Sequence, residues 1–410
     1  MNLPFRIASR YLVSKKSTNV INIISGISIA GMTVGALGLV LVLSVFNGFE
    51  DLVKSLYNTF NPELQITPKQ GITFTVDSSK IILLKKVNGV KAVAEVLEAN
   101  ALLRYDSNQD IPTIKGVSDN YEQVSSVDST IIRGRYLLHD AHNNYAVLGA
   151  GVEQKLNINV EDPLAVINIY VPRRGLAVTS LDPSAAFNHR MILPGGTFAI
   201  QQDFDSKYIL VPLAFAQDLT GYANSVTALE LSVLPKASLN EVQDNVAKVM
   251  GDNFVVRNRL QQNQTLYKIM KTEKWAVYAI LTLILIVAAF NILGSLSMLV
   301  IEKKKDISIL KAMGADGQLV QHIFLLEGTL MAVIGCGIGF ILAIIICLLQ
   351  QRFGILKLTG DSFVVSAYPV ALKLSDFVLV FFTVLVIGFM AAWFPAKRAS
   401  MQLEDIRFDQ

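Results

Sequence analysis

Four long apolar stretches constrain this chain more than any other feature of its 410 residues. They cover residues 21–46, 275–301, 319–349 and 377–394. At about 1.5 Å per residue in a helix, stretches of this length approach or exceed the roughly 30 Å of a hydrocarbon core. The composition agrees, because 52% of the residues are hydrophobic and only 17% are charged, unlike a typical soluble protein. We therefore predict four transmembrane helices.

The distribution of positive charge predicts the orientation of these helices. Lysines and arginines are concentrated in three places, which hold Arg6, Arg10, Lys15 and Lys16; Lys303, Lys304, Lys305 and Lys311; and Lys397, Arg398 and Arg407. Positive residues flank the cytoplasmic ends of membrane helices, so we expect both termini inside. Residues 1–20 are amphipathic and predict a cytoplasmic helix in the membrane interface. Residues 47–274 and the loop 350–376 then lie outside, and residues 395–410 form a cytoplasmic tail.

The region 47–274 is long enough for one or two folded domains. A strand–helix–strand pattern occurs in residues 61–118 and again in residues 223–260. Two such units predict a split ferredoxin-like subdomain. The intervening residues 119–222 contain short β-like runs broken by Gly and Pro, so we predict a mostly β insertion. The fold class is a membrane protein with four transmembrane α-helices and a large α+β periplasmic domain.

A short charged segment, residues 302–318, separates the second and third apolar stretches. Ile307, Leu310 and Met313 recur at every third position, which predicts a short amphipathic helix with lysines on its other side. Gly314 suits the left-handed conformation that ends a helix, and Asp316 can cap the next one. Held between two membrane helices on the lysine-rich side, this segment can receive force from a cytoplasmic partner.

Motifs for catalysis or metal binding are missing from the sequence. The phosphate-binding pattern GxxxxGK[ST] is absent, so we expect no nucleotide or other cofactor on this chain. The four histidines lack the spacing of a metal site, and no catalytic residues are predicted. The net charge of +3 is too small to favour nucleic acid. Cys336 and Cys347 lie in one apolar stretch, where helix packing explains them better than redox chemistry.

Three features leave alternatives open. Gly31 and Gly35 have the spacing of small residues at a helix contact, either within one chain or at a dimer seam. Glu327 is near the inner interface, where it would be solvated or paired with a lysine, or else belong to a transport path. The irregular stretch that begins at Val171 is either a partner-docking arm or a surface loop.

Two segments resemble a known family. EKWAVYAILTLILIVAAFNILGSLSMLVIEKKKDISILKAMGAD, residues 273–316, is similar to the second span and coupling segment of the permease subunit of lipoprotein-releasing (Lol) ABC transporters, within the FtsX/MacB-like permease group. ISGISIAGMTVGALGLVLVLSVFNGFE, residues 24–50, resembles the first span of that family. The resemblance covers the whole chain, and the combination of the two segments is specific.

The resemblance implies partners and site residues. Two permeases, identical or paralogous, would work with a dimer of a separate cytoplasmic ATPase, which binds the ATP and Mg²⁺. The residues implied in ATPase coupling are Glu302, Lys303, Lys304, Asp306, Ile307, Leu310, Met313 and Gly314, with Ile307, Leu310 and Met313 as the docking face. The residues implied at the cavity for lipoprotein acyl chains are Val45, Phe46, Asn47, Phe49, Ile269, Met270 and Trp275.

The family also has a loop that recruits a periplasmic carrier, and the segment 172–183 occupies its position. The residues implied in carrier docking are Pro172, Arg173, Arg174, Leu181 and Pro183, although the local sequence departs from the family's loop. The implied function is ATP-driven extraction of lipoproteins from the outer leaflet of the inner membrane of a Gram-negative bacterium. The alternatives are an FtsX-like mechanical activator of a cell-wall hydrolase and a MacB-like exporter. Exporters of that kind fuse an ATPase before the first span, where about 20 residues stand here.

Overall fold

The computed structural model describes residues 3–13, 19–173, 186–357 and 367–401. These residues fall into two compact units. The helical unit holds the described residues up to 52, from 268 to 357 and from 367 onward, and the α/β unit holds those from 53 to 267.

The secondary structure alternates between the two units along the chain. The helices are α1 (Leu3–Val13), α2 (Asn19–Phe60), α3 (Ser78–Lys85), α4 (Ala150–Leu156), α5 (Gln202–Asp205), α6 (Leu213–Thr220), α7 (Leu239–Met250), α8 (Arg259–Gln262), α9 (Gln264–Glu302), α10 (Lys304–Ala312), α11 (Gly317–Phe353) and α12 (Leu374–Met401). The strands are β1 (Leu64–Pro68), β2 (Phe74–Thr75), β3 (Val90–Asn100), β4 (Leu102–Tyr105), β5 (Asn108–Asp110), β6 (Thr113–Val117), β7 (Ile131–Gly134), β8 (Tyr145–Gly149), β9 (Ile167–Pro172), β10 (Phe187–Phe198), β11 (Tyr208–Pro212), β12 (Ser225–Val226), β13 (Ala228–Val233) and β14 (Phe254–Asn258).

Four of the described helices, α2, α9, α11 and α12, are long and apolar enough to cross a membrane. Each extends beyond the apolar stretch that predicts it. The 42 residues of α2 correspond to roughly 63 Å, about twice the hydrocarbon thickness. An apolar stretch marks where a helix contacts lipid, whereas backbone hydrogen bonds continue the same helix through polar sequence.

The fourth long helix also passes through a proline. The sequence analysis ends this span before Pro395, but α12 continues to Met401. A proline removes one backbone hydrogen bond, and its ring opposes the preceding turn. Here Pro395, Ala396 and Ala399 are buried in the helical unit, so packing stabilises the turn beyond the proline.

Glycines bring the long helices into close contact. A Cβ on Gly335 or Gly339 of α11 would lie 2.7–2.8 Å from backbone oxygens of α2, those of Ile29 and Thr33. Gly31 and Gly35 of α2 instead face α9, next to Ala288 and Leu285. The two glycines considered for a dimer seam therefore pack within one chain. Small residues serve membrane helices in this way because lipid provides no hydrophobic force between them.

The N-terminal helix α1 packs against α11. Ala8 is completely buried, whereas Arg6 and Arg10, on the opposite side, are exposed, as is Phe5. The helix is amphipathic as predicted, and its buried side faces protein.

The α/β unit contains the predicted split ferredoxin-like subdomain. Its sheet order at one end is β14-β1-β13-β3, with antiparallel neighbours throughout. Two strand–helix–strand units, β1-α3-β3 and β13-α7-β14, supply these strands from distant parts of the sequence. Helices α3 and α7 contact each other, and apolar residues of both helices and the sheet form one core.

The inserted part continues the same sheet through β6, β11, β8, β10, β9, β4 and β5. This part is mostly β, as the sequence predicts, but strand pairing crosses one of its expected bounds. The hairpin β4–β5 falls within residues 61–118, yet β4 pairs with β9 in the inserted part. Three short helices, α4, α5 and α6, accompany its strands. Strand pairing between distant residues decides such a boundary, so a break in local pattern does not locate it.

A buried ion pair crosses the centre of this sheet. Lys115 Nζ on β6 is 2.8 Å from Glu230 Oε1 on β13 and 3.6 Å from Glu98 Oε1 on β3, which lies between them. Lys115 and Glu230 are 2% and 1% exposed. Burial by itself lowers the pKa of the Lys115 ammonium, but attraction to Glu230, with help from Glu98, outweighs it and raises that pKa. The Lys115 ammonium also lies 4.7 Å from the ring centre of Phe60, at the end of α2.

We expect Gly339→Leu to destabilise the helical unit, because a side chain there meets α2 backbone. Gly337→Leu is the matched control, since no atom lies within 4 Å of a Cβ at Gly337. Overpacking of a tight contact costs about 1–3 kcal/mol. Thermal unfolding of the full chain in detergent measures the difference, and equal melting temperatures for the two variants would contradict the packing.

Removal of one charge from the buried pair should destabilise the α/β unit more than removal of both. Lys115→Met or Glu230→Leu alone leaves an uncompensated buried charge, which costs about 3–5 kcal/mol. The double variant Lys115→Met/Glu230→Leu should be close to the wild type. Hydrogen exchange of the β6 and β13 amides in the full chain measures the loss of stability. If the loss in the double variant equals the sum of the losses in the two single variants, the two charges are not coupled and the prediction is wrong.

Candidate functional site

The predicted coupling segment forms a helical hairpin between α9 and α11. Helix α10 begins two residues after the end of α9, and Gly314 adopts a left-handed φ of +94° after its last turn. Asp316 then caps α11, because its carboxylate accepts the N–H of Leu319 at 2.8 Å. Gly314 therefore ends α10 and Asp316 caps α11, as the sequence predicts.

The face of α10 that is available to a partner differs from the predicted one. Ile307 is 3% exposed and packs in the core of the helical unit, and Leu310 is half-buried. Met313 is 72% exposed. Residues six apart in an α-helix differ by roughly 240° around the axis, so Ile307 and Met313 cannot share a face. The prediction of one docking face with Ile307, Leu310 and Met313 is wrong.

The exposed face of α10 combines positive charge with apolar side chains. Its exposed residues are Lys304, Lys305, Ser308, Ile309, Ala312 and Met313. A shallow groove runs along this face and is lined by Ile301, Glu302, Lys304, Lys305, Ser308 and Ile309. We call these two sets together the coupling face. Its apolar members, Ile301, Ile309 and Met313, are all more than half exposed.

The opposite side of α10 is held by charged and aromatic contacts. Lys303 Nζ is 3.3 Å from Asp306 Oδ2 and 5.2 Å from the ring centre of Tyr11 on α1. Partial burial, with the nearby charges of Asp306 and Glu327, raises the pKa of Tyr11 to about 12. Glu327 itself is fully buried in α11, so it does not face lipid. Lys303 and Asp306 thus orient α10, whereas Lys304 and Lys305 remain on its outer face.

The residues implied at the acyl-chain cavity lie at the other end of the same bundle. Trp275 precedes Glu302 by 27 residues of continuous helix, or roughly 40 Å. Phe49, Ile269 and Trp275 are 37%, 51% and 52% exposed. Val45, Phe46 and Met270 are half-buried. These six side chains are apolar and partly exposed, three on α2 and three on α9, and we refer to them together as the apolar surface.

Asn47 does not belong to that surface. It is completely buried, and its side-chain amide donates to Asp376 Oδ2 at 2.5 Å and to the Ala371 carbonyl at 3.3 Å. Lys274 Nζ donates to Asn47 Oδ1 at 2.8 Å and is 3.4 Å from Asp376 Oδ1. The expectation that Asn47 borders the cavity is wrong, because its hydrogen bonds turn the side chain into the bundle.

The segment before α12 lies along the end of α2. The Ala371 N–H donates to the Ser44 carbonyl at 2.9 Å, and Lys373 Nζ is 3.1 Å from Asp51 Oδ1. Gly48 lies directly against the backbone of Pro369 and Val370, with no room for a Cβ. We call residues 367–373 the strap. Pattern reasoning treats these residues only as part of a loop and misses their contacts.

The segment predicted to dock a carrier begins at the end of β9. Strands β9 and β10 form an antiparallel pair in which Pro172 faces Phe187. Arg173 follows this pair, and its Nε donates to Asn188 Oδ1 at 2.9 Å. Arg174, Leu181 and Pro183 lie outside the described residues. The part of the arm that the structure describes is therefore its base, on the α/β unit.

Sequence reasoning also misses Lys274, Asp376 and Ile309. Lys274 and Asp376 directly precede apolar stretches, and a charged residue in such a place is normally expected to be solvated at the membrane interface. The available signal was that Asn47, Lys274 and Asp376 are polar residues at the outer ends of three different apolar stretches, which lie at the same side of the membrane. Among the described residues, no cluster of His, Cys, Asp and Glu has the arrangement of a metal site.

Comparisons with known proteins identify two family matches in this chain. Residues 25–249, more than half of the sequence, match the MacB-like periplasmic core domain. Residues 278–402 match the FtsX-like permease C-terminal region. The two matches are separated by residues 250–277 and support the predicted class, four membrane helices with a large α+β domain.

Individual relatives align over nearly the whole chain. The lipoprotein-releasing system transmembrane protein LolE of Haemophilus influenzae is 25% identical over 98% of this chain and 97% of its own length. LolC of Buchnera aphidicola subsp. Schizaphis graminum, a transmembrane protein of the same system, is 24% identical over 95% and 94%. The macrolide export ATP-binding/permease protein MacB of Bdellovibrio bacteriovorus is 24% identical over 94% of this chain but 59% of its own length.

Opposite faces of α10 should respond differently to a charge. Ile307→Glu places a carboxylate in the helical core, and burial of an unpaired charge there should lower the melting temperature in detergent. Ile309→Glu changes a side chain that is 58% exposed and should leave the melting temperature unchanged. If Ile309→Glu were the more destabilising variant, the assignment of the two faces would be reversed.

Proposed function

This chain belongs to the MacB-like and FtsX-like permease group of ABC transporters, and from that premise we propose that it extracts lipoproteins from the inner membrane. It acts as a multi-pass permease subunit with both termini in the cytoplasm. It takes lipoproteins from the outer leaflet and passes them to a periplasmic carrier. A dimer of a separate ATPase, which holds the ATP and Mg²⁺, supplies the energy, and a second permease subunit completes the transporter.

One observation carries this proposal: a single helix joins the coupling face to the apolar surface. Helix α9 leads without interruption from Ile269 and Trp275 to the start of the coupling hairpin at Glu302. A continuous helix resists bending, so a displacement at α10 reaches the far end of the bundle. There the exposed apolar side chains are suited to acyl chains, which have no polar groups to bind.

Acyl chains explain why the task needs ATP. Each CH₂ group held in the bilayer contributes about 0.8 kcal/mol to membrane anchoring. A lipoprotein with two or three acyl chains therefore does not leave the membrane spontaneously. A permease can lower this barrier by offering an apolar surface next to the lipid, and it can then release the chains when its helices move.

The coupling face is the surface that we assign to the ATPase. Lys304 and Lys305 attract acidic groups, while Ile309 and Met313 supply exposed apolar contacts on the same side. Apolar residues inside a polar rim are the usual composition of a protein interface. Glu302, Lys303, Asp306, Leu310 and Gly314 contribute by shaping and orienting the hairpin, and Ile307 anchors it to the bundle.

We assign carrier docking to the arm at Pro172 and Arg173. Its base projects from a strand pair, so a partner bound there contacts a firmly held part of the α/β unit. Irregular segments on such a base are common binding elements.

The MacB relative favours a second candidate, export of a small molecule. Its name combines ATP binding and a permease, and the alignment covers three-fifths of its length. Activation of a cell-wall hydrolase is the third candidate, from the FtsX-like match.

Reconstitution tests the function directly. Proteoliposomes that contain this chain, its ATPase, its permease partner and a triacylated lipoprotein should release the lipoprotein to a soluble carrier only with ATP. The double variant Ile309→Glu/Met313→Glu should lose ATP-dependent release by at least about tenfold, because charges replace buried apolar contacts at the ATPase interface. Quantitative immunoblotting of the soluble fraction measures release.

The conservative variant Ile309→Val/Met313→Leu is the control and should retain release. No release by the wild type, together with ATP-dependent export of a small molecule or stimulation of a wall hydrolase, would replace the lipoprotein assignment with the corresponding alternative. Normal release by the Ile309→Glu/Met313→Glu variant would refute the assignment of the coupling face to the ATPase and would leave the lipoprotein function standing.

A photocrosslinker in place of Arg173 should capture the carrier. Ultraviolet exposure of the intact complex with a soluble lipoprotein carrier should give a covalent product at this position. A crosslinker at Leu164, which is 85% exposed elsewhere on the α/β unit, is the control. Equal capture from both positions would remove the support for a docking arm.

A further inference from the structure

Asn47, Lys274 and Asp376 form a buried polar cluster that links three helices of the bundle. Asn47 is on α2, Lys274 on α9 and Asp376 in the first turn of α12. Asn47 is fully buried, and the side chains of Asp376 and Lys274 are 8% and 25% exposed. Each member contacts both of the others, at 2.5, 2.8 and 3.4 Å. We call this cluster the latch.

Simple helix packing does not require charges at this position. Replacement of a buried ion pair by apolar residues is often neutral or favourable for stability, because both charges lose hydration. The same bundle packs its centre with glycine, alanine and leucine, as at Gly35 and Leu285. A directional ion pair offers something that apolar contacts lack, since its hydrogen bonds hold the helices at one rotation and one height.

The strap reinforces the latch from the outside. Ala371 accepts a hydrogen bond from Asn47 and donates one to Ser44, so the backbone just before α12 is tied to α2. Lys373 and Asp51 form an ion pair at 3.1 Å beside these bonds. Asp376 also benefits from its place in the first turn of α12, where the helix dipole stabilises a negative charge. The latch therefore holds both α9 and the start of α12 against one short stretch of α2.

That stretch carries the apolar surface assigned to acyl chains. Phe46 and Phe49 flank Asn47 on α2, and Trp275 follows Lys274 directly on α9. Every hydrogen bond within the latch thus fixes the backbone next to a residue of that surface. A small rotation of α9 relative to α2 would therefore change the position of Trp275 relative to Phe46 and Phe49.

We propose that the latch positions the two sides of the acyl-chain surface, with Lys274 as the residue that aligns α9 with α2 and α12. Lys274, Asn47 and Asp376 are positioning residues and do not themselves bind the cargo. The latch keeps α2 and α9 in register while force arrives from the coupling face, so that helix movement acts on the acyl chains. This inference rests on the proposed lipoprotein function for its consequence, but the alignment of the helices can be measured without cargo.

The decisive variant removes both charges and keeps the side-chain bulk. Lys274→Met/Asp376→Leu should retain the wild-type melting temperature and basal ATP hydrolysis in the complete transporter. ATP-dependent lipoprotein release should fall by about tenfold, a size typical of coupling between distant sites. Lys274→Arg preserves the positive charge and the hydrogen bonds, and it should retain release.

A distance measurement keeps the proposal testable without transport. Spin labels at Lys271 on α9 and Leu374 at the start of α12 occupy exposed positions at the same end of the bundle. Cys336 and Cys347 are replaced by alanine in this background. Electron-spin distance measurements should give a narrow distribution for the wild type and Lys274→Arg. The Lys274→Met/Asp376→Leu variant should give a broader one.

The outcomes separate the latch from the proposed function. A folded double variant with wild-type release and an unchanged distance distribution would overturn the latch. If the double variant unfolds, Lys274→Met/Asp376→Asn, which leaves no unpaired charge and keeps an acceptor for the Asn47 amide, provides the distance measurement, and an unchanged distribution there would also overturn it. If the wild type releases no lipoprotein, the proposed function fails, while the distances still decide whether these residues align the helices.

Discussion

The close contact between α11 and α2 at Gly335 and Gly339 is the interaction on which the helical unit depends. Lipid does not drive apolar helices together, so their association needs surfaces that approach within van der Waals distance. Glycines on α11 provide this on one side of α2, and Gly31 and Gly35 provide it toward α9 on another. Because α9 and α11 are both held to α2, the short helix between them is held as well. Ile307 can then be buried, and α10 presents one defined face.

Charge is used differently at the two ends of the bundle. At α10 the lysines Lys304 and Lys305 remain exposed, where water solvates them and a partner can reach them. At the opposite end Lys274 is directed toward a buried carboxylate and an amide. The α/β unit repeats the second arrangement with Lys115 and Glu230. A buried charge is tolerated only with a partner, so each of these lysines identifies a place where strands or helices must stay aligned.

Much of the architecture was predictable because it follows from local pattern. Long apolar stretches predict membrane helices wherever the chain meets lipid, and the two strand–helix–strand patterns predict the ferredoxin-like subdomain. The ends of the elements were less predictable. Helix α12 passes through Pro395 because its neighbours stabilise the turn, and β4 joins β9 because of pairing across distant sequence. The helical hairpin between α9 and α11 lies where the sequence predicts it, but the rotation of α10 was not predictable: Ile309 is exposed, whereas Ile307 is buried.

The sequence by itself determined that this chain forms four membrane helices, a split α/β domain and a short charged hairpin that ends at Gly314 and Asp316. These features depend on periodicity, length and residue conformation, which are properties of neighbouring residues. Only the tertiary structure decided which glycines face which helix, which side of α10 is free and that Asn47 is buried beside Lys274 and Asp376. Those outcomes depend on rotation of each helix about its own axis. Contacts between residues more than 200 positions apart set that rotation, so local pattern does not record it.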